Sequence, residues 1–121
     1  MSSPDFGVLF RGPIFPVVGF VDDRLFSALN LKTLASILIR FVPSSGKDIV
    51  KLVDATGEEF WYSGEQRVLS PGFLCKRWTK RQIIDLYNIH VGSDRRYSAR
   101  SLSNKRLREI VAEISGLIRS L

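Results

Sequence analysis

The feature that most constrains the fold of this chain is a series of short apolar segments separated by turn residues, between residues 48 and 72. The segments 49–53 and 59–63 are rich in β-branched and aromatic residues, and the intervening Asp54–Gly57 has the composition of a turn in which glycine can take a positive φ. A second turn at 63–65 leads to a short strand near 67–69, which Ser70-Pro71-Gly72 closes. The pattern predicts a β-meander.

The N-terminal third predicts one strand and one helix. Residues 13–21 are β-branched and aromatic but are interrupted by proline, which predicts an edge strand. The apolar positions of the following segment, 22–41, have helical spacing in its second half. Asp22 or Asp23 is expected to cap a first turn, and Asn30 to restart the helix.

Two more helices are predicted in the C-terminal third, from about 79 to 89 and from about 104 to the C-terminus. The second carries the clearest amphipathic stripe of the chain, which consists of Leu107, Ile110, Val111, Ile114, Leu117, Ile118 and Leu121. Residues 91–103 have the composition of a polar loop or a poor edge strand. We therefore expect an α+β fold: a small antiparallel sheet of three to five strands, with the meander in its middle, and about three helices in a single layer on one face.

Length and composition favour a single globular domain spanning residues 1–121, since 121 residues with 45% hydrophobic content can bury one core. The single cysteine, Cys75, excludes an internal disulfide and is typical of a reducing compartment. The N-terminus lacks the charge pattern and cleavage site of a signal peptide, and the longest apolar run, 14–21, is too short to span a membrane. We expect a cytoplasmic protein that does not bind membranes.

Charge is distributed unevenly along the chain. Residues 1–75 contain seven Lys/Arg and eight Asp/Glu, a balance of −1, whereas residues 76–121 contain eleven and four, a balance of +7. The C-terminal third therefore carries all of the excess positive charge, which favours an anionic partner: an acidic protein surface, a nucleic acid or a phosphate group. The alternative is that the charge serves only solubility.

No residue set predicts catalysis or metal binding. Cys75 and His90 flank one predicted helix about 16 Å long, too far apart for a catalytic pair. One cysteine and one histidine cannot supply the four ligands of a structural zinc site. The carboxylates of Asp22, Asp23, Asp54, Glu58 and Glu59 lie where caps and turns use acids. We expect no cofactor, and a binding protein rather than an enzyme.

The stretch "CKRWTKRQII" (75–84) combines a helix start with an unusual charge. Thr79 and Gln82 fit a capping box, and Trp78 and Ile83 fit the two positions of a hydrophobic staple. Lys80 and Arg81 occupy the first turn, where the helix dipole favours acids. Basic residues are also predicted in the first turn of the last helix, where Lys105 and Arg106 would follow a cap at Ser103 or Asn104.

These observations define a candidate partner-binding site, with the solvated helix start as the alternative. Its basic members are Lys76, Arg77, Lys80, Arg81, Arg95, Arg96, Arg100, Lys105 and Arg106. Tyr97 is added as a residue able to stack on a base, and Trp61 as an interface anchor if its face of the returning strand is exposed. Cover over both sheet faces would bury Trp61 instead.

Three functions follow from this site, in order of preference. The first is a non-catalytic protein-binding module, of the immunity or antitoxin type, whose basic C-terminal face docks an acidic partner surface; the analogy is one of class alone. The second is RNA or DNA binding through the same residues, although no nucleic-acid-binding motif is present. The third is an enzyme, for which no acid and base can be assembled. The sequence predicts no oligomeric state.

Overall fold

The structure, a computed structural model, describes residues 6–22, 24–42, 49–72, 74 and 76–121, with Ser101 described through its backbone alone. The expectations for Cys75 and Asp23 lie outside the described residues. The strands are β1 (Gly7–Val8), β2 (Val17–Val21), β3 (Arg24–Ala28), β4 (Ile49–Val53), β5 (Glu59–Ser63) and β6 (Val68–Pro71). The helices are α1 (Leu31–Phe41), α2 (Lys80–Asn88), α3 (Ser101–Asn104) and α4 (Leu107–Arg119), with a 3-10 turn at Ser93–Arg95.

The strands form one mixed sheet in the order β1-β6-β5-β4-β2-β3. The predicted meander is present as β4, β5 and β6, and Gly57 in its first turn has a φ of +87°. The α+β class is therefore confirmed. The expected sheet of three to five antiparallel strands was too small, because β1 adds a parallel pairing beside β6 and β3 adds an outer strand beyond β2.

The segment expected to begin a long helix instead forms the second strand of a hairpin. Residues 24–28 pair with β2 along its whole length, and α1 starts only after Asn30, whose side chain accepts a hydrogen bond from Thr33 N at 2.8 Å. The edge-strand prediction for β2 was wrong, because β2 lies between β3 and β4. Pro13 and Pro16 precede the first residue of β2, so neither removes a donor from its ladder.

Helices cover both faces of the sheet, which corrects the expected single layer on one face. The side chains of Val17 and Leu52 pack with α1 residues such as Leu34 in one core. The next residues along the same strands, Val18 and Val53, pack with residues of α2 and α4 in a second core. Because side chains alternate across a strand, one five-residue strand can contribute to both cores.

Helices α2 and α4 start at the same end of the sheet. A Cβ placed on Gly57 would lie 3.0 Å from the carbonyl O of Trp78, just before α2, and 3.1 Å from Leu107 Cδ1, at the start of α4. The backbone N–H of Trp78 also donates to Gly57 O at 2.7 Å. None of the helices in the described ranges is long and apolar enough to cross a bilayer.

Candidate functional site

Most of the basic side chains in the C-terminal third form no ion pair with a carboxylate among the described residues. Of the eleven lysines and arginines in residues 76–121, Lys105 alone forms an ion pair with a carboxylate that the structure describes, Glu113. The other described ion pair, Arg11–Glu58, belongs to the N-terminal part of the chain. The charge surplus is therefore presented to solvent or to a partner rather than neutralised within the fold.

The start of α2 has the predicted capping box. Gln82 N donates to Thr79 Oγ1 at 3.2 Å, and Thr79 N donates to Gln82 Oε1 at 2.8 Å. Trp78 packs against the core that contains Ile83, consistent with the predicted staple. The cap satisfies the backbone donors of Thr79 and Gln82, and no basic side chain takes part in these two hydrogen bonds.

The basic residues around α2 have separate environments. Lys80 Nζ donates to the carbonyl O of Leu102 at 3.2 Å, which ties the helix to the segment before α4. Arg77 Nη1 donates to Thr56 O and Oγ1 at 3.3 Å, which ties it to the turn of the meander. Arg81 forms no side-chain hydrogen bond with another described residue, and it is exposed.

The connection between α2 and α4 brings Arg96 and Tyr97 beside Arg81. The three residues line one depression of about 350 Å³ between α2 and the segment 96–102. Asn88 on α2 holds this segment through two hydrogen bonds to the backbone of Tyr97. Arg95 lies on the far side, in a depression shared with the end of α4, and Arg100 is exposed.

The predicted breach of the charge rule in the last helix is wrong, because α4 starts later than expected. Arg106 is the N-cap residue and its backbone N–H donates to Glu109 Oε1 at 3.0 Å, so the first turn carries an acid. Lys105 precedes the cap and forms hydrogen bonds with both oxygens of Glu113, at 2.6 and 2.7 Å. Ser103 and Asn104 belong to the separate one-turn helix α3.

The acid that accompanies Lys105 also fixes Tyr97. The Tyr97 hydroxyl donates to Glu113 Oε1 at 2.6 Å, and Lys105 Nζ lies 5.9 Å from the centroid of the Tyr97 ring. The hydrogen bond from Lys105 is the main cause that lowers the pKa of Glu113, and the hydrogen bond to Glu113 is the main cause that raises the pKa of Lys105. Tyr97 is thus engaged within the fold.

Trp61 is half-buried, between the two predicted alternatives, and it donates from Nε1 to Glu59 Oε2 at 2.6 Å. The other oxygen of the same carboxylate accepts from Trp78 Nε1 at 2.9 Å. Glu59 is 2% exposed and therefore lies buried between the two tryptophans of the chain. Sequence reasoning assigned Glu59 to a turn; its position two residues before Trp61, on the same strand face, was the available signal.

An apolar depression of about 280 Å³ lies on the solvent side of α2 and was not predicted from the sequence. Its lining residues are Lys76, Trp78, Gln82, Asp85, Leu86 and Ile89. Ile89 is 75% exposed, although it is a large apolar side chain at the end of a helix. The depression therefore combines an apolar centre with charged groups of both signs at its edge.

Asp54 and His90 form structural contacts within the fold. Asp54, buried, accepts from the backbone N–H groups of Ile14, Thr56 and Glu58. His90 Nδ1 lies 2.7 Å from Leu86 O, and its ring packs on Phe20. Among the described ranges no three His, Cys, Asp or Glu side chains lie together as a metal site would require.

The described residues form a small α+β fold whose C-terminal third exposes most of its basic side chains. Comparison of the chain with protein-family models, with curated proteins and with solved structures gives no match.

Proposed function

We propose that this chain is a non-catalytic protein-binding module that docks an acidic segment of a partner protein on α2. The apolar depression formed by Trp78, Leu86 and Ile89, with Lys76 at its edge, carries the proposal. An apolar centre surrounded by polar and charged groups is the usual anatomy of a protein interface. The neighbouring basic side chains, unpaired with described carboxylates, supply complementarity to an acidic partner.

Two observations favour a protein partner over a nucleic acid. Ile89 offers an apolar anchor point, which a phosphate backbone does not use. Tyr97, the aromatic residue expected to stack on a base, is held by Glu113. Within the class of protein-binding modules, the immunity- or antitoxin-type inhibitor is our proposal by analogy of size and motif content alone.

The experiment starts from a selection, because the partner is unidentified. A displayed library of random short peptides is panned against the immobilised protein, and enriched peptides are titrated into ¹⁵N-labelled protein. We expect enrichment of peptides that combine Asp or Glu with a large apolar residue, and amide shifts that map to Gln82, Leu86 and Ile89. Absence of enrichment, or enriched peptides without acids, would contradict the proposal.

Matched variants identify the surface. Lys76→Glu/Arg81→Glu should weaken the enriched peptide about tenfold or more. Lys32→Glu/Arg40→Glu makes the same charge change on α1, across the sheet, and should leave affinity unchanged. Ile89→Ala should also weaken binding, and Leu29→Ala, an exposed apolar control, should not. Equal effects of test and control variants overturn the assignment.

A titration with oligonucleotides distinguishes a protein partner from a nucleic-acid partner. Labelled single-stranded and duplex oligonucleotides are titrated at several salt concentrations. Salt-dependent binding of an oligonucleotide that Lys76→Glu/Arg81→Glu abolishes, together with no selected peptide, would replace the proposal by nucleic-acid binding.

A further inference from the structure

A second cavity lies where the sheet splits, and it shares Lys76 and Trp78 with the depression on α2. β2 pairs with β4 only at Val18–Val53 and Gly19–Leu52, whereas β2 continues to pair with β3, and β4 with β5, as far as Val21 and Ile49. The two hairpins therefore diverge beyond Gly19. The space between them is a cleft of about 540 Å³, within the size range of small-molecule sites.

The cleft contains the buried carboxylate of Glu59. Its two oxygens each accept one hydrogen bond from an indole N–H, of Trp61 and Trp78, and Glu59 forms no ion pair with a described residue. The neighbouring buried acids differ, because Asp54 is held by backbone N–H groups and Glu58 by Arg11. A carboxylate has about four lone-pair sites, and among the described residues the side-chain donors to Glu59 are the two indoles, so the group can accept from a further donor.

Two lysines line the same cleft without neutralising this charge. Lys51 Nζ lies 5.5 Å from the centroid of the Trp61 ring, and Lys76 Nζ lies 5.9 Å from that of Trp78. Neither ammonium group forms an ion pair with a described carboxylate. Each lysine instead lies near an indole ring that donates to Glu59, so opposite charges line one cavity without an ion pair between them among the described residues.

Asp22 adds an exposed carboxylate to the lining of the cleft, and the rest of its wall is apolar. Phe20 and Val21 line it from β2, and Ile49 and Val50 line it from β4. A ligand that matches these surfaces carries a cationic group, an anionic group and an apolar body within the volume of a small molecule. Burying one charge without a partner would cost more than burying both with partners.

We propose that the cleft binds a small zwitterion with an apolar side chain, such as an α-amino acid. Its ammonium group donates to Glu59, its carboxylate pairs with Lys51 and Lys76, and its side chain packs on Phe20 and Ile49. The cleft shares Lys76 and Trp78 with the depression on α2, but Lys51 lines the cleft alone. A variant at Lys51 therefore tests this site separately from the proposed docking function.

Intrinsic fluorescence reports on this site directly, because the two tryptophans of the chain both bind Glu59. Leucine and phenylalanine are titrated into the protein, with leucinamide, which lacks the carboxylate, and N-acetyl-leucine, which lacks the ammonium group, as matched controls. We expect a saturable emission change with the free amino acids, and affinities at least about tenfold weaker for both controls. No saturable change with leucine or phenylalanine, or equal binding of either control, overturns the proposal.

A variant at the exposed Lys51 gives a test that does not depend on the buried acid. Lys51→Met should weaken leucine binding about tenfold or more and leave the unfolding midpoint unchanged. Lys32→Met on α1 is the matched control and should bind leucine as the natural chain does. Unchanged binding by Lys51→Met contradicts the site even if leucine binds. The peptide selected for α2 should bind Lys51→Met normally, which separates this result from the docking proposal.

Discussion

The side-chain amide of Asn88 forms two reciprocal hydrogen bonds with the backbone of Tyr97. Asn88 Nδ2 donates to Tyr97 O at 3.1 Å, and Tyr97 N donates to Asn88 Oδ1 at 2.7 Å. The side-chain amide thus pairs with the backbone of Tyr97 as a neighbouring strand would, and it holds the segment 92–106 beside α2. Because that segment carries Arg95 and Arg96, this buried amide helps to position both arginines, together with the Tyr97–Glu113 and Lys80–Leu102 hydrogen bonds.

Asn88→Ala should destabilise the fold by about 1–3 kcal/mol, since it removes two hydrogen bonds to the backbone of Tyr97. Urea denaturation measures the loss, and hydrogen exchange at the Tyr97 amide should become faster. Asn104→Ala, at an exposed asparagine of α3, is the control and should change stability by less than about 0.5 kcal/mol. If Asn88→Ala were no more harmful than the control, the segment would be held by other contacts.

Gly57 should not tolerate alanine. Its φ of +87° disfavours any Cβ, and that Cβ would lie 3.0 Å from the carbonyl O of Trp78, a backbone atom with little freedom to move. We expect Gly57→Ala to cost about 2 kcal/mol or more in the free energy of unfolding. Gly12→Ala places its Cβ no closer than 3.9 Å to a neighbour and serves as the control. Similar midpoints for the two variants would refute the close packing of this turn.

Local patterns predicted the elements whose signals lie within a few residues. The meander was predicted from alternating apolar segments and a glycine turn, and β4 and β5 have the predicted bounds. The capping box at Thr79 was predicted from the side chains of Thr79 and Gln82 alone. Such signals survive because they depend on neighbours in the chain rather than on packing at a distance.

Long-range packing determined what the sequence could not predict. Residues 24–28 form a strand because β2 lies beside them, although acids precede them as they would a helix. Helices cover both faces of the sheet, and consecutive residues such as Val17 and Val18 are both apolar and face opposite sides. The sequence analysis expected helices on one face only, and it therefore missed this arrangement. The hydrogen bond from Trp78 to Glu59 forms because the backbone near residue 76 pairs with the backbone of Glu59. Residues this far apart in the chain leave no local sequence pattern that predicts the contact.

Trp78 and Glu59 should be energetically coupled. Trp78→Phe keeps the ring but removes the N–H donor from Glu59 Oε1, leaving a buried carboxylate oxygen without a partner. We expect a loss of about 1–3 kcal/mol. In a Glu59→Met background, where no carboxylate needs a donor, the same change should cost at least about 1 kcal/mol less. The four proteins of this cycle are compared by urea denaturation, and strictly additive losses would contradict the coupling.

The Glu113–Lys105 contact predicts a pH dependence of stability. The folded pKa of Glu113 is lowered, chiefly by the hydrogen bond from Lys105 and next by that from Tyr97. A lowered carboxyl pKa contributes stability that is present above the unfolded pKa and is lost as pH falls through the folded pKa. The folded pKa of Lys105 is raised, so its contribution is present below the unfolded lysine pKa and is lost as pH rises through the folded pKa.

Glu113→Gln should therefore lower the unfolding midpoint most near neutral pH and least below the ordinary titration range of glutamate. Both side chains are solvent-accessible, so the difference should be small and should shrink as salt is added. Glu65→Gln, at an exposed glutamate in the turn before β6, is the matched control and should show no such pH profile. Parallel pH profiles for Glu113→Gln and the natural chain would mean that the contact contributes nothing to stability, and that Asn88 rather than Glu113 holds Tyr97 in place.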